Sequence, residues 1–150
     1  MTRMALAVLG LCAGIGLAAC AQVESGVGRD ALVNQPWFLE TIDGKVVASA
    51  NHNIVTIEPD GDVHGRSGCA SFSGRAAFDG NRVTFQNLDL APSGCIEETL
   101  MAAAQFLDAL KSSDRWSLQD QYLLLFREGS IVPSRLLRQR VAPSDRLLAN

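Results

Sequence analysis

The side chains able to do chemistry crowd into one short stretch. His64 stands just before "GRSGCASFSG" (65–74), which contains Cys69, Ser71 and Ser73. A cysteine acts as a nucleophile when a base or a positive setting lowers its pKa, and only Arg66 and Arg75 lie near Cys69 in sequence. A serine needs a histidine and a carboxylate in register; Ser71 or Ser73 with His64 supplies the residue types, but no G-x-S-x-G elbow accompanies them. The loop also lacks the G-x-x-x-x-G-K-[ST] of a phosphate cradle. Metal binding would draw on His52, His64, Cys69 and Cys95, which form neither a C-x-x-C nor an H-x-x-x-H. Glu97 and Glu98 are adjacent, so on a helix they splay by about 100° instead of pairing for acid–base work. The expectation is no catalytic set, no metal and no cofactor.

The cysteines divide by position. The chain opens with "MTR", continues with the apolar "MALAVLGLCAGIGLA" and ends that run in "LAAC", residues 17–20. This is a secretory signal, too short and glycine-broken for a spanning helix. Its end resembles the bacterial lipobox, which implies a signal peptide over 1–19 and an acylated Cys20. The competing reading is ordinary cleavage after Ala21, which would discard Cys20 and release a soluble periplasmic protein. Acyl chains bury methylenes at about 0.8 kcal/mol each, so two or three of them hold a domain at a membrane. Ala21 and Gln22 follow the cysteine where an aspartate would favour inner-membrane retention, which implies the outer membrane. Cys12 leaves with the signal and Cys20 is acylated, so the exported domain keeps Cys69 and Cys95. In an oxidising compartment these are read as one disulfide, closing a loop of about 25 residues worth roughly 3 to 4 kcal/mol. A reactive Cys69 is the alternative.

At 150 residues the chain is one domain's worth, 47% hydrophobic and 19% charged. Loss of Arg3 leaves 12 basic against 16 acidic residues, net −4. With no basic stripe, nucleic acid is not an expected partner.

Residues 20–34 read as a tether and 35–132 as the domain. Within it "WFLETI", "KVVAS", "IVTIE", "DVHGRS", "GRAAF" and "RVTFQNL" are β-branched or aromatic runs. Asp43-Gly44, Pro59-Asp60-Gly61 and Asp79-Gly80-Asn81 separate them as turns. "IEETLMAAAQFLDALK" puts Ile96, Leu100, Ala103 or Ala104, Leu107 and Leu110 on one helical face, with Glu97 and Glu98 in the first turn and Lys111 in the last. "RWSLQ" and "YLLLF" return to strand around Asp120-Gln121, and "SIV" adds a short last one. The predicted fold is mainly β (α+β), a compact antiparallel barrel-like sheet with one amphipathic helix packed on it. Trp37, Trp116 and Phe126 are assigned to the core, with the lining of a cleft as the competing role. Residues 133–150, broken by Pro133 and Pro143, carry Arg135, Arg138, Arg140 and Arg146 against Asp145. They read as a solvated basic tail, with contact to anionic headgroups as the competing role.

Taken in order, these segments resemble the META domain family. "NQPWFLETIDGK" is similar to its Asn-x-x-Trp-x-Leu opening, "GDVHGRSGCASFSGRAAFDGNRVTF" to its Gly-Cys and Phe-x-Gly core, and "LDLAPSGC" to the segment ending in its second cysteine. The resemblance covers roughly residues 34 to 130. Ala70 stands where the family carries Asn after Gly-Cys, so any polar contact of that Asn is absent. The family has no established catalytic residues and is associated with heat or envelope stress and antibiotic tolerance. It implies a non-enzymatic, lipid-anchored envelope protein that faces the periplasm and binds a peptide, a lipid or an envelope protein beside the helix. The competing function is a thiol-dependent or hydrolytic envelope enzyme using Cys69 or Ser71.

Overall fold

The structure, a computed structural model, describes residues 27–47 and 52–138. Cys12 and Cys20, the signal segment, residues 20–26 of the tether, and Arg140 and Arg146 of the tail lie outside the described residues. The elements are α1 (Val27–Asp30), β1 (Pro36–Ile42), β2 (Lys45–Val46), β3 (Asn53–Ile57), β4 (Asp62–Ser67), β5 (Ala70–Asp79), β6 (Arg82–Pro92), α2 (Glu97–Lys111), β7 (Ser113–Gln119), β8 (Tyr122–Arg127) and β9 (Ser134–Arg138). Neighbours in sequence pair antiparallel from β3 round to β9, and β9 returns to pair with β1. The result is a closed eight-stranded barrel of β1 and β3–β9. β2 and β3 both pair with the edge of β1 opposite β9, β2 at Thr41 and Ile42 and β3 at Pro36 to Phe38.

Alternation along the strands sets inside from outside. On β5, Ala70, Phe72 and Ala76 point inward while Ser71, Ser73 and Arg75 face solvent. Gly65 sits opposite Phe72, and a Cβ there would fall 2.3 Å from the Phe72 ring and 2.2 Å from the Ile54 carbonyl oxygen. The glycine is therefore the space into which Phe72 packs. Asp43 (φ 48°) and Gly44 (φ 77°) form the tight turn joining β1 to β2, both in the left-handed region that a type I′ hairpin requires.

Two plugs close the barrel. α2 touches the β4–β5 turn through Gly68 and Thr99, packs on β6 and β4, and through Asp108 reaches Arg127 at the end of β8. Its inward face is Ala103, Phe106, Leu107 and Leu110, with Phe106 edge-on to Phe72. β6 and β7 share a single paired position, Arg82 with Arg115, and α2 covers the remainder of β6. Its start carries no side-chain cap at Ile96; its end is held by Ser112 and Ser113, whose hydroxyls donate to the carbonyls of Asp108 (2.6 Å) and Ala109 (2.7 Å). At the opposite end Leu32 is fully buried and its carbonyl accepts from Trp37 Nε1 at 2.8 Å. Asn34 N–H bonds the Ile57 carbonyl, and Arg138 Nη2 bonds that of Ala31.

Several sequence expectations change. The glycine-rich stretch 65–74 is mostly strand, with Gly68 and Cys69 alone between β4 and β5. Among the described residues of "KVVAS", Lys45–Val46 are strand and Val47 is not; Ala48 and Ser49 lie outside the described residues. Ile96, expected on the buried face, is exposed just ahead of the helix, and of Ala103 and Ala104 it is Ala103 that joins Phe106, Leu107 and Leu110 in the buried stripe. "SIV" is not a strand; the last strand is β9, which takes Ser134–Arg138 from the stretch read as a tail because Leu136 fills the barrel between β8 and β1. α1 and Leu32 likewise belong to the folded domain although they fall in the stretch read as tether. Trp37 is core, whereas Trp116 and Phe126 are half-buried.

Candidate functional site

Cys69 and Cys95 form a disulfide with S–S 2.03 Å and Cα–Cα 5.5 Å. It ties the β4–β5 turn to the residue two before α2, so Cys69 carries no free thiol in this form. The turn is tight on the helix: Gly68 has φ +59°, and a Cβ on it would stand 2.5 Å from Thr99 Cγ2.

The serine candidates lie on the outer barrel wall. Ser71 is exposed opposite Arg66. Ser73 is brought directly opposite His64, and His64 Nε2 lies 3.7 Å from Glu58 Oε1. The structure thus places a serine, a histidine and a carboxylate in a row, but no hydrogen bond joins Ser73 to His64, and the hollows described below are lined by other residues. Catalysis by such a row needs a bound substrate and donors for a developing oxyanion. No group of three or more His, Cys, Asp or Glu among the described residues is placed to hold a metal ion.

The concave surface lies elsewhere, between α2 and the β1–β2 hairpin. A groove of about 800 Å³ is walled by Ile42, Val46 and Val47 on one side and Ala102, Ala104 and Gln105 on the other. At one end Arg127 bridges the walls: Nε lies 3.0 Å from Asp43 Oδ2, and Nη2 lies 3.2 Å from Asp108 Oδ2. These half-exposed pairs contribute modest stability, and their geometric effect is to fix the hairpin to the helix. At the other end Ala102 also lines a smaller hollow of about 380 Å³ with His52, Asn53, Ser67 and Glu98. Its floor is polar and satisfied, Ser67 Oγ donating to Asn53 Oδ1 at 2.5 Å.

The family resemblance implies binding beside the helix, but the residues themselves did not locate this groove. The available signal was the run Ala102–Ala104, whose outward members are too small to cover the helix surface facing the hairpin. Arg127 gave none, because its two carboxylates come from positions 84 and 19 residues away.

A family model described as META domain matches residues 30–139. Among solved structures, one determined by NMR for a protein from Burkholderia xenovorans superposes with a TM-score of 0.57 at 21% identity, covering 73% of this chain and 85% of that one. A crystal structure of a DUF4847 family protein from Bacteroides vulgatus gives 0.52 at 14% identity, covering 75% and 99%. At these identities the likeness is one of fold. No curated protein matches the sequence.

Proposed function

We propose, from the fact that this chain belongs to the META domain family, that it is a lipid-anchored, non-enzymatic binding domain of the cell envelope. Acylated Cys20 holds it at the outer membrane facing the periplasm, and the groove beside α2 receives a peptide, lipid or protein whose binding supports envelope integrity under stress. The observation that carries this reading is the groove itself, of a size typical for ligand sites and lined by Ile42, Val46, Val47, Ala102 and Ala104 together with Lys45 and Gln105, between two elements pinned by Arg127. The anchor rests on "LAAC". Heat and antibiotic stress come from the family association.

The reading is tested by affinity capture from stressed cells, comparing the wild-type protein with Ala104→Trp, which fills the groove from the exposed side of α2. A ligand or partner retained by the wild type and lost in the variant is the expected result. Identical recovery with both would remove the groove from the account.

A further inference from the structure

The two ends of the barrel are unlike, and the chain leaves from only one of them. β1 starts and β9 finishes at the end plugged by Leu32, so the residues before Val27 and after Arg138 both emerge there. The exposed large apolar side chains of the described residues are at the opposite end: Val46 (85% exposed) and Ile131 (90%) with Val132 (45%) around the β1–β2 turn, and Ile96 (66%) and Met101 (55%) on the outer side of α2. Val132 packs toward that turn, its Cγ1 2.9 Å from where a Cβ on Gly44 would stand. Of these side chains Val46 lines the groove itself, and Val132 stands against the turn that bounds it.

We propose that this α2 end is a docking face for an extended, apolar, neutral-to-basic segment of another protein, arriving from the aqueous side and not from the membrane that anchors the domain. This rests on the lipid-anchor reading and names the partner class for the same groove.

The reach of the chain argues against the bilayer as occupant. Seven residue steps separate Cys20 from Val27, which span at most about 25 Å. β6, with 11 residues, gives the barrel roughly 25 Å of height once strand tilt is allowed for. α2 adds about 10 Å. Turning the α2 face onto the anchoring membrane would lift Val27 about 35 Å from it, beyond the tether.

The chemistry of the face argues for a polypeptide. Ile42 and Lys45 pair across the turn, and Val47 N–H donates to the Glu40 carbonyl at 3.0 Å. Antiparallel alternation therefore turns the Val46 N–H and C=O away from β1, on a side where no described strand pairs with β2. An added strand satisfies those groups and an acyl chain does not. The lining carries Asp43, Asp108 and Glu98 against Lys45 and Arg127, and Arg127 is engaged by both aspartates. That balance disfavours a phosphate and favours a neutral or basic segment.

The test uses the full acylated chain, with acylation checked first by intact mass, in vesicles of phosphatidylethanolamine and phosphatidylglycerol. Spin labels are placed by Val46→Cys or Asn81→Cys with the native disulfide intact. The label at 46 is expected to read water and the one at 81 to lie nearer the headgroups; an acylated chain with label 46 in the acyl region overturns the inference. Absence of acyl mass sinks the anchor reading instead. In the same preparation, a short lysine-flanked peptide of alternating valine and threonine is added. It should perturb the amides of Val46, Ala102 and Ala104 and bind about fivefold more tightly than its glutamate-flanked counterpart, the difference of one surface charge pair. Ala104→Trp should abolish the effect at unchanged stability. Peptide that leaves these amides unmoved, or amides that respond only to vesicle lipid or to protein concentration, overturns it, the last by naming a second copy of the chain as occupant.

Discussion

Phe106 meets Phe72 edge-on, with ring centroids 5.6 Å apart and planes at 89°. This contact joins the helix to the inner barrel wall, and Phe72 in turn occupies the space left by Gly65. Both rings are buried. Phe106→Ala should therefore destabilise the domain by about 3 to 5 kcal/mol, the usual cost of removing a core aromatic. Urea unfolding measures it; a loss under about 1 kcal/mol would mean that α2 does not plug the barrel.

Gly65→Ala tests the same relationship from the strand side. The added methyl has no room beside the Ile54 carbonyl and the Phe72 ring, so a loss of roughly 1 to 3 kcal/mol is expected. Combined with Phe72→Leu, which withdraws the ring, part of that loss should return, and a thermal-denaturation double-mutant cycle reads the coupling.

The disulfide closes a loop between positions 26 apart. Cys69→Ser with Cys95→Ser should lower stability by roughly 3 to 4 kcal/mol on the chain-entropy model while leaving the groove able to bind. A variant of unchanged stability that had lost an activity would instead favour the thiol-enzyme reading.

Arg127→Met keeps the stem and removes the charge. It should cost about 1 kcal/mol or less in stability, because both ion pairs are partly solvated. The larger effect should be on ligand affinity, since the hairpin is no longer fixed to α2; a binding isotherm indistinguishable from wild type would contradict that role.

The fold was legible where local chemistry and tertiary structure agree. Asp43-Gly44 announces its hairpin, the alternation of Ala70, Phe72 and Ala76 against Ser71 and Ser73 describes a half-buried strand, and the 97–111 helix carries its charges at the correct ends. β9 was hidden because its arginines dominate the composition. In the barrel Arg135 points outward and stacks on Tyr122 at 4.2 Å, whereas Arg138, on the same face of β9 as the buried Leu136, stacks over the buried Trp37 at 5.2 Å and donates to the Ala31 carbonyl at the barrel end. Of the alternatives Ala103 and Ala104 the barrel selects Ala103 for the buried stripe of α2 and leaves Ile96 exposed ahead of the helix, because periodicity fixes spacing and leaves the angle of the face to the barrel. The groove was illegible for a deeper reason: its walls meet only when β1, α2 and β8 are assembled.

The measurement that bears most directly on the account as a whole is the intact mass of the protein extracted from membranes, alkylated under denaturing conditions before and after reduction. The account predicts acyl mass on Cys20, no alkylation before reduction and two alkylated cysteines after it. An unacylated chain beginning at Gln22, or a Cys69 alkylated without reduction, would contradict it.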